Sequence, residues 1–340
     1  MHLMMKYRNV IEQLYQQANP IIKYKIDKDL YQKDVTIDRY MSLEDEPISY
    51  WLNIYKRREI HGRKDDTYEN AIGKLLEYGL TKEHEPFHQQ YGYILENKYW
   101  QADQSFQGLL MKSVVYPFLI RGGYLDHPCI KEFLMNRIQT IESTIEKYGY
   151  DFEDILCKRP KKYKDQFIFK IDITKEWLPT IYDLYAFAFY PNKDDEVSDR
   201  IEKIVMYLLD DRYQQIPENA YIYDPTKKYY YAAGNVYHAC MKQERKILMI
   251  YLLSHFKAAG NSHMFISALD NLLICQRDDG FFVLDKSLLV EKKNRYHLYA
   301  GGHMGLGEER KSKSWLKIES TFWVLRILFN VEQNSEDISL

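Results

Sequence analysis

The chain has few means of cross-linking itself. Its four cysteines, Cys129, Cys157, Cys240 and Cys275, are far apart and form no C-x-x-C pair. A chain this large needs no such staples, so the thiols read as reduced. It also lacks an excess of positive charge: 47 basic residues face 49 acidic ones, for a formal net charge of −2. No field is present to hold nucleic acid or an anionic membrane, and no nucleic-acid partner is expected. No window approaches 18 uncharged apolar residues, so no membrane span is expected. The opening Met1–Arg8 (MHLMMKYR) has no apolar signal-peptide core, and a cytoplasmic location follows as an expectation. No Pro/Gly/Ser-rich linker divides the chain, and runs of alternating polarity are scarce. The best such run is Gln166–Ile171, and Tyr221–Tyr223 is shorter; both read as loops or small extended pieces.

What is present is apolar periodicity of the helical kind. Hydrophobic residues make up 46% of the chain and charged residues 28%, a globular balance. Ile247, Leu248, Tyr251, Leu252 and Phe256 fall on one stripe of a 3.6-residue helix. Similar stripes run through 109–119, 130–145, 177–189, 201–209, 264–274 and 315–329. The helices come in pairs with short turns. Residues 105–120 precede Arg121–Pro128 (RGGYLDHP) and then a helix over 130–148: glycine can take the left-handed C-cap, Asp126 can cap, and Pro128 fits a first turn. The pairs 68–78 with the helix through Ile94, 177–190 with 196–209, and 243–256 with 263–275 follow the same logic.

First helices begin near Tyr68, Ser105, Trp177, Gln243 and Trp315, and the last three gaps are 72, 66 and 72 residues. Such recurrence indicates stacked hairpins, closed into a ring or left open as a solenoid. The expected fold is all-α, a single domain over 1–340, with 1–60 an N-terminal helical part and 277–314 a long loop. Leu109–Leu134 (LLMKSVVYPFLIRGGYLDHPCIKEFL) and Trp315–Leu328 (WLKIESTFWVLRIL) resemble repeats of the terpene cyclase and protein prenyltransferase β-subunit toroids. Asn19–Asp34 (NPIIKYKIDKDLYQKD) is similar to the start of an uncharacterised bacterial branch of that superfamily. The resemblance implies a single α/α toroid with a central cavity for a hydrophobic or isoprenoid-like ligand. It does not transfer a reaction.

The superfamily's reactions each need a motif. Cyclisation by protonation uses an aspartic acid in D-x-D-D, and the nearest match, Asn192–Asp195 (NKDD), reads as a helix cap. Diphosphate ionisation uses D-D-x-x-D/E around Mg²⁺. Asp65-Asp66-Thr67-Tyr68-Glu69 fits the looser form, though the same residues also open a helix. A prenyltransferase-like zinc set would be His238, Cys240 and His303, set against a reading of these as ordinary buried or loop side chains. No cofactor is required by these residues; zinc or magnesium is the alternative.

Toroids also host glycosidases and lyases, in which paired carboxyls act beside aromatic faces. Glu319 has Trp315 at i−4 and Trp323 at i+4, so one helix face presents all three and the carboxyl should be desolvated. The alternative is a structural partnership with Lys317 or Arg326. Asp183 lies beside Tyr182 on an apolar helix, and Asp103 follows Trp100. Glu319 and Asp183 are the candidate catalytic acids. Tyr296–Glu309 (YHLYAGGHMGLGEE) is the most site-like loop, with His297, Tyr299, His303 and four glycines. Tyr230, Asn235 and His238 form a second cluster. The expected ligand is a small hydrophobic molecule or an oligosaccharide. A carbohydrate-active toroid and a non-catalytic peptide-binding scaffold stand as the alternatives.

Overall fold

The computed structural model describes residues 2–158, 166–191, 195–233, 237, 246–289, 291, 293–294 and 296–334. By proximity the chain forms two compact units, Met1–Tyr91 with Met241–Leu340, and Gly92–Cys240.

In chain order, the first unit opens with helices α1 (His2–Lys6), α2 (Arg8–Gln17), α3 (Pro20–Lys25), α4 (Ile48–Ile54), α5 (Tyr68–Glu77) and α6 (Glu85–Tyr91). The start of α3 is set by Asn19, whose side chain accepts from the Ile22 N–H at 2.9 Å, with Pro20 in the first turn. Helix α2 is amphipathic and buries Val10, Ile11 and Leu14. Helix α5 is different: all ten of its residues are buried, including Glu69, Lys74 and Glu77. Thr67 caps it, its side chain accepting from the Asn70 N–H. It ends at Gly79, which has φ +95°; Leu80 N–H reaches back to the Leu75 carbonyl at 3.0 Å. The Tyr24 ring occupies the space a Cβ at Gly79 would need.

The second unit holds α7 (Lys98–Ala102), α8 (Phe106–Arg121), α9 (Pro128–Tyr148), α10 (Ile181–Ala188) and α11 (Glu196–Leu209). Helix α8 packs on α9 and α10, and α9 packs on α11. Val115, Leu119, Ile138, Leu184 and Ile204 lie in its core. The same unit contains four strands: β1 (Leu156–Lys158), β2 (Phe167–Phe169), β3 (Ala220–Asp224) and β4 (Tyr229–Ala232). They form one mixed sheet in the order β1-β2-β3-β4. β1 pairs antiparallel with β2, β2 parallel with β3 (Phe167 opposite Ala220), and β3 antiparallel with β4 (Tyr221 opposite Ala232).

The sheet corrects the all-α expectation. The stretches read as loops or small extended pieces, 166–171 and 221–223, contain β2 and part of β3, paired into a sheet that the reading did not include. Burial alternates along β3, with Ala220, Ile222 and Asp224 inside. The β3–β4 turn is held by Asp224, whose Oδ1 accepts from the N–H groups of Thr226 (2.9 Å) and Lys227 (3.1 Å). Short strands paired across about fifty residues leave little local periodicity to read.

The chain returns to the first unit with α12 (Lys246–Leu253), α13 (His263–Leu273) and α14 (Trp315–Asn334). Helix α14 packs on α1, α2 and α12, and is buried around most of its circumference. The segment 277–314, expected as a long loop, carries short helical turns at Lys286–Leu289, Leu298–Ala300 and Gly302–Met304. Among the described residues no helix is long and apolar enough to cross a membrane.

Candidate functional site

Helices α5 and α14 are buried, so each charged side chain on them needs a partner. Several of those partners come from the segment 291–310. Glu69 Oε1 accepts from the Leu298 N–H at 2.8 Å, and its other oxygen pairs with His61. Glu77 faces His303 Nε2 at 3.6 Å, with both side chains fully buried. Lys74 donates to the Glu291 carboxylate and, at 2.6 Å, to the Gly305 carbonyl. Gly305 is required by that approach, because a Cβ there would overlap the Glu291 side chain.

From α14, Glu319 Oε1 accepts from the N–H groups of Leu306 (3.1 Å) and Glu308 (3.3 Å), and Oε2 lies 2.9 Å from Arg310 Nη1. Trp323 Nε1 donates to the Met304 carbonyl at 3.2 Å. The Arg310 guanidinium sits 4.1 Å above the Trp315 ring. Asn19 adds two bonds, from its Nδ2 to the Leu306 carbonyl and from its N–H to Glu308 Oε1 at 2.7 Å. The glycine-rich loop is thus pinned at successive positions by buried polar groups.

Beside this frame lies a cavity of about 480 Å³. Tyr50, Trp51, Tyr78 and Tyr296 supply its aromatic surface; Asp65, Glu291, Glu308 and the exposed Glu46 supply carboxyls; Lys293 supplies an ammonium. Tyr296 meets Trp51 edge-on at 4.7 Å. The Lys74 ammonium sits behind the aromatic wall, 4.8 Å from the Tyr78 ring centre and 5.6 Å from that of Tyr296.

The carboxyls are held in different states. Burial pushes Asp65 up, against one hydrogen bond from the Asn294 N–H at 2.6 Å. Burial also pushes Glu308 up, against the Asn19 N–H and Arg310. Burial alone would do the same to Glu291, but Lys74 and Arg310 outweigh it and hold that carboxyl below its ordinary value. Burial lifts the Tyr78 hydroxyl to about 12 and Glu319 to about 7.

The expected site residues divide between the two units. Glu319, His297, His303, Trp315 and Trp323 belong to the first, where all five are buried. Burial pushes the Glu69 carboxyl up, but His61 and, less strongly, His297 outweigh it and hold that carboxyl below its ordinary value. Glu319 pairs with Arg310 rather than Lys317 or Arg326; Lys317 meets Asp279 at 3.3 Å, and Arg326 donates to the Asp29 carbonyl at 3.1 Å. Trp100, Asp103, Tyr182, Asp183 and Tyr230 belong to the second unit. Asp183 is the acid of a capping box: its Oδ2 accepts from Thr180 N–H, Thr180 Oγ1 and Trp177 Nε1, at 2.7–2.9 Å. Asp103 is exposed and accepts from the Ser105 N–H at 2.9 Å. Trp100 is half-buried, Tyr182 is buried on α10, and Tyr230 packs on Tyr223 at 4.7 Å.

Asn235, His238, Cys240 and Asn192–Asp194 lie outside the described residues, as does the side chain of Tyr299. Of the suggested magnesium motif, Asp65 lines the cavity while Glu69 is bonded to His61 and Leu298. Among the described residues no group of three or more His, Cys, Asp or Glu side chains is placed to hold a metal ion.

Sequence reasoning overlooked Trp51, Lys74, Tyr78 and Glu291. A lysine within an amphipathic stripe looks like a solvated face, and Glu291 sits in a stretch with no periodicity. No family model, curated protein or solved structure matches the chain.

Proposed function

We propose that the first unit binds an oligosaccharide in the cavity beside 291–310 and acts on it by acid–base chemistry, as a glycoside hydrolase or lyase does. One observation carries this reading. A single cavity with four aromatic faces holds two carboxyls that burial pushes up, Asp65 and Glu308, and one held ionised, Glu291. Environments that drive neighbouring carboxyls apart assign them acid and base roles. Glu308 or Asp65 supplies the proton, Glu291 stays charged in the same cavity, and Tyr and Trp side chains take the apolar sides of sugar rings.

Within each unit, the packed hairpins α8–α9 and α12–α13 support repeats of the α/α toroid type as the finer description of the helices. An isoprenoid ligand would require an apolar cavity around Trp315 and Trp323. Trp323 is fully buried, against Tyr251 at 5.0 Å, and neither tryptophan lines the described cavities.

The test is a thermal-shift panel of oligosaccharides and prenyl diphosphates, followed by product analysis. A ligand at about 100 times its Kd adds about 2.7 kcal/mol of stability, which moves the midpoint by a few degrees. The reading requires a shift with an oligosaccharide, and a Glu308→Gln variant that keeps the shift but loses product. A shift confined to prenyl diphosphates would return the assignment to the isoprenoid class.

A further inference from the structure

The second unit contains its own cavity of about 460 Å³, between α8, α9 and residues 173–177. Two cations line it. Lys112, on α8, is 5% exposed, and its Nζ donates to the carbonyls of Gln101 (2.9 Å) and Asp103 (2.7 Å) at the end of α7. Among the described residues no carboxylate lies within ion-pairing distance of it. Arg137, on α9, is 9% exposed. Its Nη2 donates to Ser113 Oγ at 2.5 Å, and its guanidinium lies 3.8 Å from the Trp177 ring centre. The nearest carboxylate to Arg137 is Asp183, at 3.7 Å, and the other oxygen of Asp183 is committed to its capping box and to Trp177. Glu132 lines the cavity as an exposed residue and is screened by water. Burial pulls both cations down, Lys112 despite Asp103 and Arg137 despite Asp183.

The wall therefore carries more buried positive charge than buried negative charge. Carbonyl dipoles solvate the Lys112 ammonium but do not neutralise it. Phe133, Tyr116 and Trp177 give the same cavity flat apolar surface. We infer that this cavity binds a small organic carboxylate with a flat apolar body, its carboxylate between Lys112 and Arg137 and its body against the aromatic side chains. Two donors from different helices, one of them a planar guanidinium, suit a carboxylate. This inference is independent of the oligosaccharide reading, since it concerns other residues in the other unit.

Cys129 lines the cavity and is half-exposed, with His127 Nδ1 3.0 Å from its sulfur, so its alkylation reports occupancy. The experiment treats the full chain with iodoacetamide and follows the Cys129 peptide by mass spectrometry. The probes are benzoate, indole-3-acetate, the neutral isostere benzamide, and inorganic phosphate. An aromatic carboxylate at about ten times its Kd fills about nine-tenths of the sites, so Cys129 alkylation should slow roughly tenfold. Benzamide should leave it unchanged. Lys112→Met should abolish the protection while leaving the melting temperature equal or higher, because a buried cation without a counter-charge is replaced by an apolar chain. Three outcomes overturn the inference: no protection of the wild-type protein by either carboxylate, equal protection by benzamide, or protection by phosphate alone.

Discussion

Lys74 in the first unit and Lys112 in the second are both buried side chains, Lys112 at a cavity wall, yet they are neutralised differently. Lys74 meets the Glu291 carboxylate, with one carbonyl completing its shell. Lys112 meets two carbonyls and no carboxylate among the described residues. The same division extends to their surroundings. Glu69 faces His61, Glu77 faces His303 and Glu319 faces Arg310, and the last two of these pairs, with Lys74–Glu291, tie segment 291–310 to α5 and α14. Among the described residues of the second unit, the buried carboxylate that faces a cation, Asp183, is largely committed to starting α10. Paired charge fixes where a segment lies; unpaired charge at a cavity wall leaves work for a ligand.

The contrast breaks most sharply at the lysines. Lys74→Met removes the ammonium from Glu291 and leaves that carboxylate Arg310 at 3.4 Å, a loss of about 1.5–3 kcal/mol, the range for a hydrogen bond to a charged group. Urea unfolding should register that loss, and a cost below about 1 kcal/mol would mean the pair does not anchor the segment.

Glu319 sharpens the comparison through pH. Its folded-state value of about 7 lies above the ordinary 4.5, so its contribution is fully present below pH 4.5 and is lost as pH rises through 7. Relative to Glu319→Gln, the wild-type protein should lose about 3 kcal/mol between pH 4.5 and pH 8. Parallel stability curves for the two proteins would show that the carboxyl is not held as described.

Gly79→Ala should cost about 2 kcal/mol, from a left-handed backbone bearing a Cβ and from displacement of Tyr24. Differential scanning calorimetry would read it as a lower melting temperature. The smallest expected change is Lys112→Met, within about 0.5 kcal/mol of the wild type or above it in the same urea assay. A loss as large as that of Lys74→Met would erase the distinction between the units.

Much of the helical framework was legible. The periodicity placed helices at 105–120, 130–148 and 196–209, and the structure has Phe106–Arg121, Pro128–Tyr148 and Glu196–Leu209. Those stripes repeat every three to four residues, so neighbours along the chain carry the signal. The sheet was not legible, because β2 and β3 are short and their parallel pairing is non-local. The glycines at 301–307 marked a loop of unusual backbone: Gly301 and Gly307 have positive φ, and Gly305 lies close to Glu291. Its partners stayed hidden: Lys74 and Glu291 are 217 residues apart, and a charged residue on a helix does not announce whether water or a carboxylate faces it. Glu319 was expected to be desolvated by its tryptophans. It is, but its carboxyl is taken by backbone N–H groups and Arg310.

The order of the chain gives α5 a history. Its lysine leaves the ribosome 217 residues before Glu291. At about 5–20 residues per second that is an interval of roughly 10–45 s. Throughout it Lys74 has no Glu291 to meet and Glu77 has no His303, so this helix cannot take its final place while the second unit is being made. A nascent chain halted anywhere between residues 92 and 290 would display an unfinished, charge-bearing apolar surface, a suitable hold for a chaperone and an early target for a protease.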